Sequence, residues 1–391
     1  MAEKRKILFI VEAMGGGVFT YIVDLADELV DTYDMYIAYV VRRQTPENYR
    51  DYFDKRIELI KVKNFGRSIN PIKDLKAFME IRKIAKQVQP DIIHLHSSKA
   101  GALERFAFNG KSVPLFYTPH GYSFLMKNHS ALKRLIYRTV ETVCGKRDCT
   151  TISCSEGEHQ ESMKLTKNAT YVNNSINIDE LRSRIDSVRK TEKYIFTVFT
   201  LERICYQKNP TLFNQIAEAM PDVRFLWIGD GALRRGLKAA NIEIIGWVER
   251  KEALRRSLSG DVFLLASLWE GLHISLIEAM YMKKLCVVSD VIGNRDVIRN
   301  GENGFVCRAT DEFVHAIKEA QTDDVIELIN SAYQNIVDEY NTSVMAEKYS
   351  VIYMNKLIAK SCRGVQHEVI LIAVCFEAVV NTGSYREAVA T

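Results

Sequence analysis

Apolar runs of strand length that alternate with helical stretches constrain the fold of this chain more than any other feature. Residues 6–11, 91–96 and 262–266 have the length and apolar content of buried strands, and a helical pattern follows the first of them. Parallel strands that are buried on both faces are apolar throughout, and each needs a crossover, usually a helix, before the next strand. The alternation therefore predicts an α/β fold with doubly wound parallel sheets.

The alternation occurs twice, once on each side of a charged stretch at residues 179–193. With 391 residues, of which 47% are apolar, the chain is long enough for two domains that each have a core. We predict a first domain at residues 1–180 and a second at 181–343, joined by a helical connector within the charged stretch. Open α/β sheets bind ligands at the carboxyl ends of their strands, so functional residues are expected there.

Charge is distributed unevenly along the chain, whose net charge is +4. Residues 1–190 hold 31 Lys and Arg against 23 Asp and Glu, a net charge of +8, so the remainder carries −4. A basic first half suits an anionic surface or substrate, such as a membrane, a lipid diphosphate or a nucleic acid. The basic residues form no recognised base-reading module, so nucleic acid is the least expected partner.

Cysteine spacing and the first apolar run indicate a cytoplasmic protein. Cys144, Cys149 and Cys154 recur at intervals of five, which matches neither a Cys-x2-Cys zinc pattern nor a dense disulfide framework. Glu12 interrupts the first apolar run before a signal peptide could be completed, and no segment has the length of a membrane span. We therefore expect reduced thiols and no membrane-spanning segment.

A glycine run, Gly15 to Gly17, separates the first strand from the first helix. A dinucleotide fingerprint needs a third glycine where this chain has Phe19 or Thr20, so the run is a weak match to that motif. Three glycines nevertheless let the backbone approach a ligand closely. The loop could therefore lie against a ligand.

Residues 270–280 follow the 262–266 strand and start a new helical pattern at Ser275. Two interpretations are open. In the first, Ser275 and Glu278 form a capping box, in which Ser caps the helix and Glu reaches back to its first amide, and no function is implied. In the second, the free amides of the helix start face a phosphate, and Glu278 accepts hydrogen bonds from ribose hydroxyls.

Glu270 and Glu278 are separated by seven residues and followed by Ala-Met and a strand at 285–290, and this pattern resembles the signature of the retaining GT-B glycosyltransferases of family 4. Arg203, Lys208 and the turn at 301–305 also match that family. The resemblance implies the GT-B fold, in which two Rossmann-like domains face each other across a cleft. It also implies that residues 344–360 form a helix that crosses back to the first domain. We assign no role to residues 361–391, whose apolar run at 369–376 is too short to span a bilayer.

The resemblance implies transfer of a sugar from a nucleotide sugar and gives each motif a role. Glu278 would bind the ribose and Glu270 the sugar hydroxyls, while His120 would orient the donor sugar. Arg203 and Lys208 would hold the donor diphosphate, whose developing charge they can neutralise without a metal. The predicted catalytic residues are thus His120, Glu270, Arg203 and Lys208. The predicted donor-binding residues besides Glu278 are Ser275, Leu276, Ile274, Gly271, Gly229, Val248 beside the base, Gly16 and Gly17.

These assignments have structural alternatives. Arg203 and Lys208 would otherwise be solvated loop cations, and His120 would be a hydrogen-bonded loop histidine. His94 and His96 alternate along their strand, but two histidines without a third ligand make a poor metal site.

Three positions depart from the family pattern. Glu202 and Ser175 stand where the family usually has glycine, and His273 stands where it usually has proline. A carboxylate beside the cation pair would weaken phosphate binding unless the side chain of Glu202 points away from that pair.

Residues 96–101 resemble a loop of family members that build bacterial surface polysaccharides. A glycan or a polyprenyl-diphosphate-linked acceptor is therefore expected at the first domain, with a UDP-linked donor ahead of a GDP-linked one. No Asp-x-Asp cluster ends a strand, which predicts transfer without a metal ion or another cofactor. The alternatives are a non-catalytic partner subunit with the same fold and a nucleotide-sugar epimerase.

Residues 124–138 carry the expected contact with a membrane. Phe124, Leu125 and Met126 would dip into an anionic surface on the inner face of the plasma membrane, where they would be exposed beside Lys127, Lys133 and Arg134. The helix that follows is predicted to pack against the domain core like an ordinary amphipathic helix. Its core face is expected to consist of Leu132, Leu135, Ile136, Val140 and Val143.

Overall fold

The structure is a computed structural model that describes residues 4–42, 44–66, 70–188, 195–321 and 325–362. Its first domain is built on a seven-stranded parallel sheet. The strands are β1 (Arg5–Met14), β2 (Tyr33–Val41), β3 (Glu58–Lys61), β4 (Ile92–His96), β5 (Leu115–Thr118), β6 (Thr150–Ser153) and β7 (Ala169–Tyr171). Their order in the sheet is β3-β2-β1-β4-β5-β6-β7.

Helices form the crossovers of this sheet and cover both of its faces. They are α1 (Gly17–Leu29), α2 (Pro71–Val88), α3 (Ser98–Ala107), α4 (Ala131–Cys144) and α5 (Glu156–Met163). Successive side chains of a strand point to opposite faces. Phe9 and Val11 of β1 accordingly pack in one cluster with α1, and Leu8 and Ile10 pack in the other with α2.

The second domain repeats this design on a six-stranded parallel sheet, after the connecting helix α6 (Ile178–Asp186). The strands are β8 (Thr197–Leu201), β9 (Arg224–Ile228), β10 (Ile242–Gly246), β11 (Val262–Leu265), β12 (Leu285–Ser289) and β13 (Phe305–Cys307), in the order β10-β9-β8-β11-β12-β13. The helices are α7 (Pro210–Glu218), α8 (Arg250–Ser259), α9 (Ile274–Tyr281), α10 (Asn294–Val297), α11 (Thr310–Glu319) and α12 (Ile326–Glu339). Two doubly wound parallel sheets are thus confirmed.

Each sheet reverses its strand order next to its first strand, between β1 and β4 in the first domain and between β8 and β11 in the second. The loops that leave the carboxyl ends of these strands diverge there and open a crevice, which is where open α/β sheets bind ligands. We call the edge formed by the carboxyl ends of the strands the ligand edge. The loops after β1, β4, β8 and β11 therefore mark the expected site.

Strand β1 extends further than the sequence predicts. β1 continues past residue 11 to Met14, because Met14 pairs with Val41 and the buried carboxylate of Glu12 forms an ion pair with Arg42. β8 begins at Thr197, where its ladder with β9 starts.

Helix α4 is turned opposite to the prediction. The face formed by Leu132, Leu135, Ile136, Val140 and Val143 is exposed, whereas Phe124, which was expected at the surface, is buried with its ring 4.8 Å from that of Tyr122. Polar contacts hold the inner side of α4, where Glu141 accepts hydrogen bonds from Arg105 and from Tyr117, the latter at 2.9 Å. Helical periodicity identifies an apolar face but not what that face contacts, and here a buried ion pair decides the orientation.

The last described helix, α13 (Thr342–Cys362), returns to the first domain and packs on α1. Tyr349 is hydrogen-bonded to Tyr21, and the hydroxyl of Tyr353 lies 2.6 Å from Nδ1 of His94. Both tyrosines are fully buried in the core that β1 and α1 form. The first domain is therefore completed by residues that follow the second domain in sequence.

Among the described residues, no helix combines the length and the apolar content that a membrane span needs. The apolar run at 369–376 lies outside the described residues.

Candidate active site

Loops from both domains approach each other at the ligand edge. A methyl group placed on Gly271, in the loop after β11, would lie 3.9 Å from the amide nitrogen of Gly121, in the loop after β5. Nearby, the amide of Gly157 donates to Asp296 Oδ2 at 3.1 Å and the side-chain amide of Asn174 donates to the carbonyl of Leu272 at 2.7 Å. The cleft between the two domains is thus narrow at this point.

Lys208 is the centre of a buried charged cluster in this cleft. It lies in a single 3₁₀ turn after β8, and Pro210 then opens α7 as its position in the sequence predicts. The ammonium donates to Glu270 at 2.6 Å and to Glu202 at 2.8 Å. Burial alone would lower the pKa of Lys208, but the two carboxylates outweigh it and raise this pKa above its usual value.

Both carboxylates of the cluster have further partners. Burial alone would raise the pKa of Glu270, but attraction to Lys208 and His273 outweighs it and lowers this pKa. The side-chain amide of Gln207 also donates to Glu270 at 3.2 Å. Glu270 is therefore an ionised, immobilised acceptor at neutral pH.

The side chain of Glu202 points toward Lys208. Its carboxylate binds Lys208 on one oxygen and accepts from the Ser275 hydroxyl at 3.1 Å on the other, which also lies 3.2 Å from His273 Nε2. Two of the departures from the family pattern, Glu202 and His273, thus contact each other. Lys208, Ser275 and His273 therefore stabilise the carboxylate of Glu202 without a bound ligand.

Glu278 does not form the capping box. Ser275 directs its hydroxyl to Glu202, no side chain caps the start of α9 at His273, and the carboxylate of Glu278 is paired with Arg250 through two hydrogen bonds, one of 3.0 Å. Asp24 of α1 faces this pair from the first domain, and burial together with the charges of Glu180 and Glu278 raises the pKa of Asp24 to about 8. Arg250, at the start of α8, thus holds the carboxylate of Glu278 in place.

One residue that was predicted to bind the donor at the start of α9 has no free backbone amide. The amide of Leu276 already donates to the carbonyl of His273 at 3.1 Å, since the first turn closes tightly. Ile274 and Ser275 occupy the first two helical positions, whose amides have no partner within the helix. The anion-binding capacity of this helix start therefore rests on these two residues.

The remaining second-domain residues lie on loops at the same ligand edge. Arg203 is exposed and has no hydrogen-bond or ion-pair partner among the described residues. Gly229 has a φ of 135°, and a Cβ there would lie 2.0 Å from the carbonyl oxygen of Glu202, so only glycine lets β9 end against the Arg203 loop. Val248 packs on the domain core, while Trp247 beside it is 70% exposed.

The imidazole of His120 is directed inward. Its Nε2 lies 3.1 Å from His96 Nδ1, its Nδ1 lies 3.4 Å from the Cys154 sulfur, and burial lowers its pKa to about 3. The residue adopts a left-handed φ of 54°, and the next amide, of Gly121, donates to Glu158 at 2.7 Å. His120 is therefore a neutral, hydrogen-bonded loop residue beside the cleft. This is the structural alternative that the sequence analysis gave for this position.

The glycine loop of the first domain leaves open space. Gly16 has a left-handed φ of 58°, and a Cβ on Gly16 or on Gly17 would meet no atom within 4 Å. A ligand can therefore approach this backbone closely. In the described part of the chain, no group of three or more His, Cys, Asp or Glu side chains is arranged to hold a metal ion.

Two Rossmann-like domains that face each other across a cleft, with a buried lysine and paired glutamates at the second ligand edge, define a glycosyltransferase of the GT-B class. Family models agree over both halves: the model described as Glycosyltransferase Family 4 matches residues 15–180, and the model described as Glycosyl transferases group 1 matches residues 198–323. The chain belongs to glycosyltransferase family 4.

Named relatives are bacterial. The chain is 29% identical over 344 residues to a UDP-Gal:alpha-D-GlcNAc-diphosphoundecaprenol alpha-1,3-galactosyltransferase of Escherichia coli, covering 79% of this chain and 87% of that one. It is 30% identical over 262 residues to an uncharacterised 41.2 kDa protein in the cps region of Klebsiella pneumoniae, covering 63% and 72% of the two chains. These similarities place the chain among enzymes of bacterial surface polysaccharides.

Solved structures share the fold. The sucrose-phosphate synthase of Thermosynechococcus elongatus superposes with a TM-score of 0.76 at 14% identity, covering 91% of this chain and 100% of that one. HepE of Anabaena, solved in complex with UDP and glucose, superposes with a TM-score of 0.70 at 16% identity over 90% of this chain and 100% of that one. The predicted GT-B fold is thus confirmed.

Proposed function

We propose that the enzyme transfers a sugar from a UDP-linked donor to a polyprenyl-diphosphate-linked acceptor, with retention of configuration, at the inner face of the plasma membrane. The donor and acceptor classes are supported by the name of the Escherichia coli relative, which specifies UDP-galactose and a diphosphoundecaprenol-linked sugar. The first domain adds a net positive charge in residues 1–190 that suits a lipid diphosphate.

The observation that carries the proposal is the buried ammonium of Lys208 at the ligand edge, between two carboxylates. In the proposed complex the donor diphosphate lies against Lys208, Arg203 and the first amides of α9. Those cations and amides stabilise the negative charge that develops as the nucleoside diphosphate leaves. Glu270 accepts from the sugar hydroxyls, and Glu278, oriented by Arg250, accepts from the ribose hydroxyls.

Retention follows if the acceptor hydroxyl attacks the anomeric carbon on the face that the diphosphate leaves. The bond from that carbon to the phosphate oxygen breaks as the new glycosidic bond forms, and the hydroxyl proton passes to the departing phosphate oxygen. Glu270 is an unsuitable nucleophile because Lys208 and Gln207 hold its two carboxylate oxygens. Gly16 and Gly17 leave room for the acceptor on the opposite side of the cleft.

Thermal stabilisation by nucleotides tests the donor site without an acceptor. Saturating UDP is expected to raise the melting temperature of the wild type by about 5 °C, since a ligand that binds only the folded state stabilises it. Glu278→Ala is expected to lose this shift, because the ribose then lacks its acceptor. GDP and ADP serve as controls for the base, and stabilisation by none of the three would favour the non-catalytic partner subunit.

Transfer is expected to proceed without a divalent metal. Lys208 and Arg203 supply the positive charge at the diphosphate, so the rate of sugar transfer in excess EDTA is expected to lie within about twofold of the untreated rate. The measurement is the initial rate in EDTA, with a matched sample to which Mn²⁺ is restored. A rate that collapses in EDTA and returns with Mn²⁺ would contradict the metal-free mechanism.

A further inference from the structure

Two aromatic side chains flank the buried charged cluster of the second domain. Tyr206 lies two positions before Lys208, and Trp269 lies directly before Glu270. The centroids of the two aromatic rings are 5.9 Å apart, and the ring planes are tilted by 46°. The rings therefore present one angled aromatic surface, which we call the Tyr206–Trp269 platform.

The platform contributes little to the core of the domain. Tyr206 is 53% exposed and Trp269 is half-buried, and neither belongs to a hydrophobic core cluster among the described residues. Trp227 shows the opposite case, since it is 1% exposed and donates to the carbonyl of Glu202 at 2.8 Å. Tyrosine and tryptophan rings that the core leaves uncovered are typical of surfaces that bind another molecule.

Hydrogen bonds fix the platform in place. The amide of Leu268 donates to the carbonyl of Gln207 at 2.8 Å, and the side chain of Gln207 donates to the carbonyl of Trp269 at 3.0 Å. The ion pair of Lys208 with Glu270 joins the same two segments. Because both rings sit on segments that are already connected, a ligand that stacks on them has little conformational freedom to remove.

The chemistry of the platform suits a pyranose ring. The face of an aromatic ring is electron-rich, so it attracts the positively polarised C–H groups on one side of a sugar ring. The hydroxyl groups of that sugar stay free to bind polar neighbours. A diphosphate is an unsuitable ligand because the two rings carry no positive charge. A nucleobase is unsuitable too, because the ribose is assigned to Glu278, whereas the platform adjoins Glu270 at the sugar end of the donor.

Exposure separates the platform from the donor subsite. Lys208 and Glu270, which hold the donor in the proposed complex, are each 8% exposed, whereas Tyr206 is far more open to solvent. The platform also borders the narrow part of the cleft, where Gly271 approaches Gly121 of the first domain. A molecule that arrives after the donor has covered the buried cluster therefore meets these rings.

We infer that the Tyr206–Trp269 platform stacks the pyranose ring of the acceptor and so holds the hydroxyl that receives the transferred sugar. The inference rests on the proposed function, because it takes the acceptor to be a sugar on a prenyl diphosphate. It adds a sugar-binding subsite on the second domain, next to the donor. The diphosphate and the lipid of the acceptor remain on the side of the first domain.

Steady-state kinetics test the platform with the donor and acceptor sugars named for the Escherichia coli relative, namely UDP-galactose and GlcNAc-diphosphate on a short, water-soluble prenyl chain. Tyr206→Ala and Trp269→Ala are each expected to raise KM for the acceptor about fivefold, since one stacking contact is lost. Both are expected to leave kcat and the KM for UDP-galactose within about twofold of the wild type. Tyr206→Phe and Trp269→Phe keep an aromatic ring and are expected to restore the KM for the acceptor to within about twofold.

Controls separate stacking from folding. Both alanine variants are expected to keep the thermal shift with UDP, because neither ring contacts the nucleotide. Ile326→Ala, at a 55% exposed position of α12, is matched to Tyr206 in exposure and is expected to behave like the wild type in both assays.

The outcomes distinguish this inference from the proposed function. A wild type that transfers sugar, with alanine variants whose KM for the acceptor is unchanged, would overturn the platform alone. A raised KM for UDP-galactose with an unchanged KM for the acceptor would also overturn it, because the donor sugar would then cover the rings. A wild type that transfers sugar to no prenyl-diphosphate-linked acceptor would overturn the proposed function and, with it, this inference.

Discussion

Lys208→Met is expected to lower kcat/KM for sugar transfer by about a thousandfold, because the variant loses the buried cation that stabilises the departing diphosphate. It is also expected to lower the free energy of unfolding by about 3–5 kcal/mol, since Glu202 and Glu270 would stay buried without their shared partner. Initial rates measure the first effect, and chemical denaturation measures the second. Methionine keeps the length of the side chain, so the change is mainly one of charge.

A double variant separates the two effects. Lys208→Met with Glu202→Gln removes one of the two carboxylates that lose their shared cation and is expected to recover about half of the lost stability, while transfer stays at the level of Lys208→Met. Glu202→Gln alone is the companion control. Transfer by Lys208→Met within about threefold of the wild type would contradict the role of this lysine at the diphosphate.

Glu104→Gln is expected to reduce the decline in stability between pH 5 and pH 8. Both carboxylate oxygens of Glu104 are buried in α3 without a hydrogen-bond partner among the described residues, and burial raises its pKa from 4.5 to about 8. A carboxyl whose folded pKa is raised stabilises the fold below its unfolded pKa, and that stability is lost as the pH rises toward the folded value. Between pH 5 and pH 8 this one group is expected to cost the wild type about 3 kcal/mol.

Urea denaturation at pH 5 and pH 8 measures this difference. The decline in the free energy of unfolding between the two pH values is expected to be smaller by about 3 kcal/mol in Glu104→Gln than in the wild type. Glu58→Gln, at an exposed position on β3, is the matched control and is expected to decline like the wild type. An equal decline in all three proteins would mean that the pKa of Glu104 is not raised in the folded protein.

The fold was predictable because one sequence pattern, an apolar strand followed by a helix, recurs along the chain. Buried parallel strands are apolar along their whole length and crossover helices separate them, so the order of elements follows from periodicity alone. The orientation of α4 did not follow, because Glu141 and Arg105 form their buried pair between two helices that no local pattern connects.

The site was predictable in its residue types and not in its pairings. Glu270, Glu278 and Lys208 were identified from their resemblance to the motifs of the family, and the structure places them at one ligand edge. Arg250, which binds Glu278 from the start of α8, was missed, since a single arginine 28 positions away has no distinguishing context. The Glu202 to His273 contact was missed for the same reason, although both positions stood out singly.

The tyrosines of α13 have a consequence for how the chain is made. Proteins leave the ribosome from the amino terminus, and domains usually fold as units in that order. Here Tyr349 and Tyr353 fill the core of the first domain, so that core stays incomplete until almost the whole described chain has been synthesised. The second domain, whose sheet ends at Cys307, can close earlier. The core of the second domain, which ends with Tyr340, can therefore be completed before the core of the first domain, which needs Tyr353.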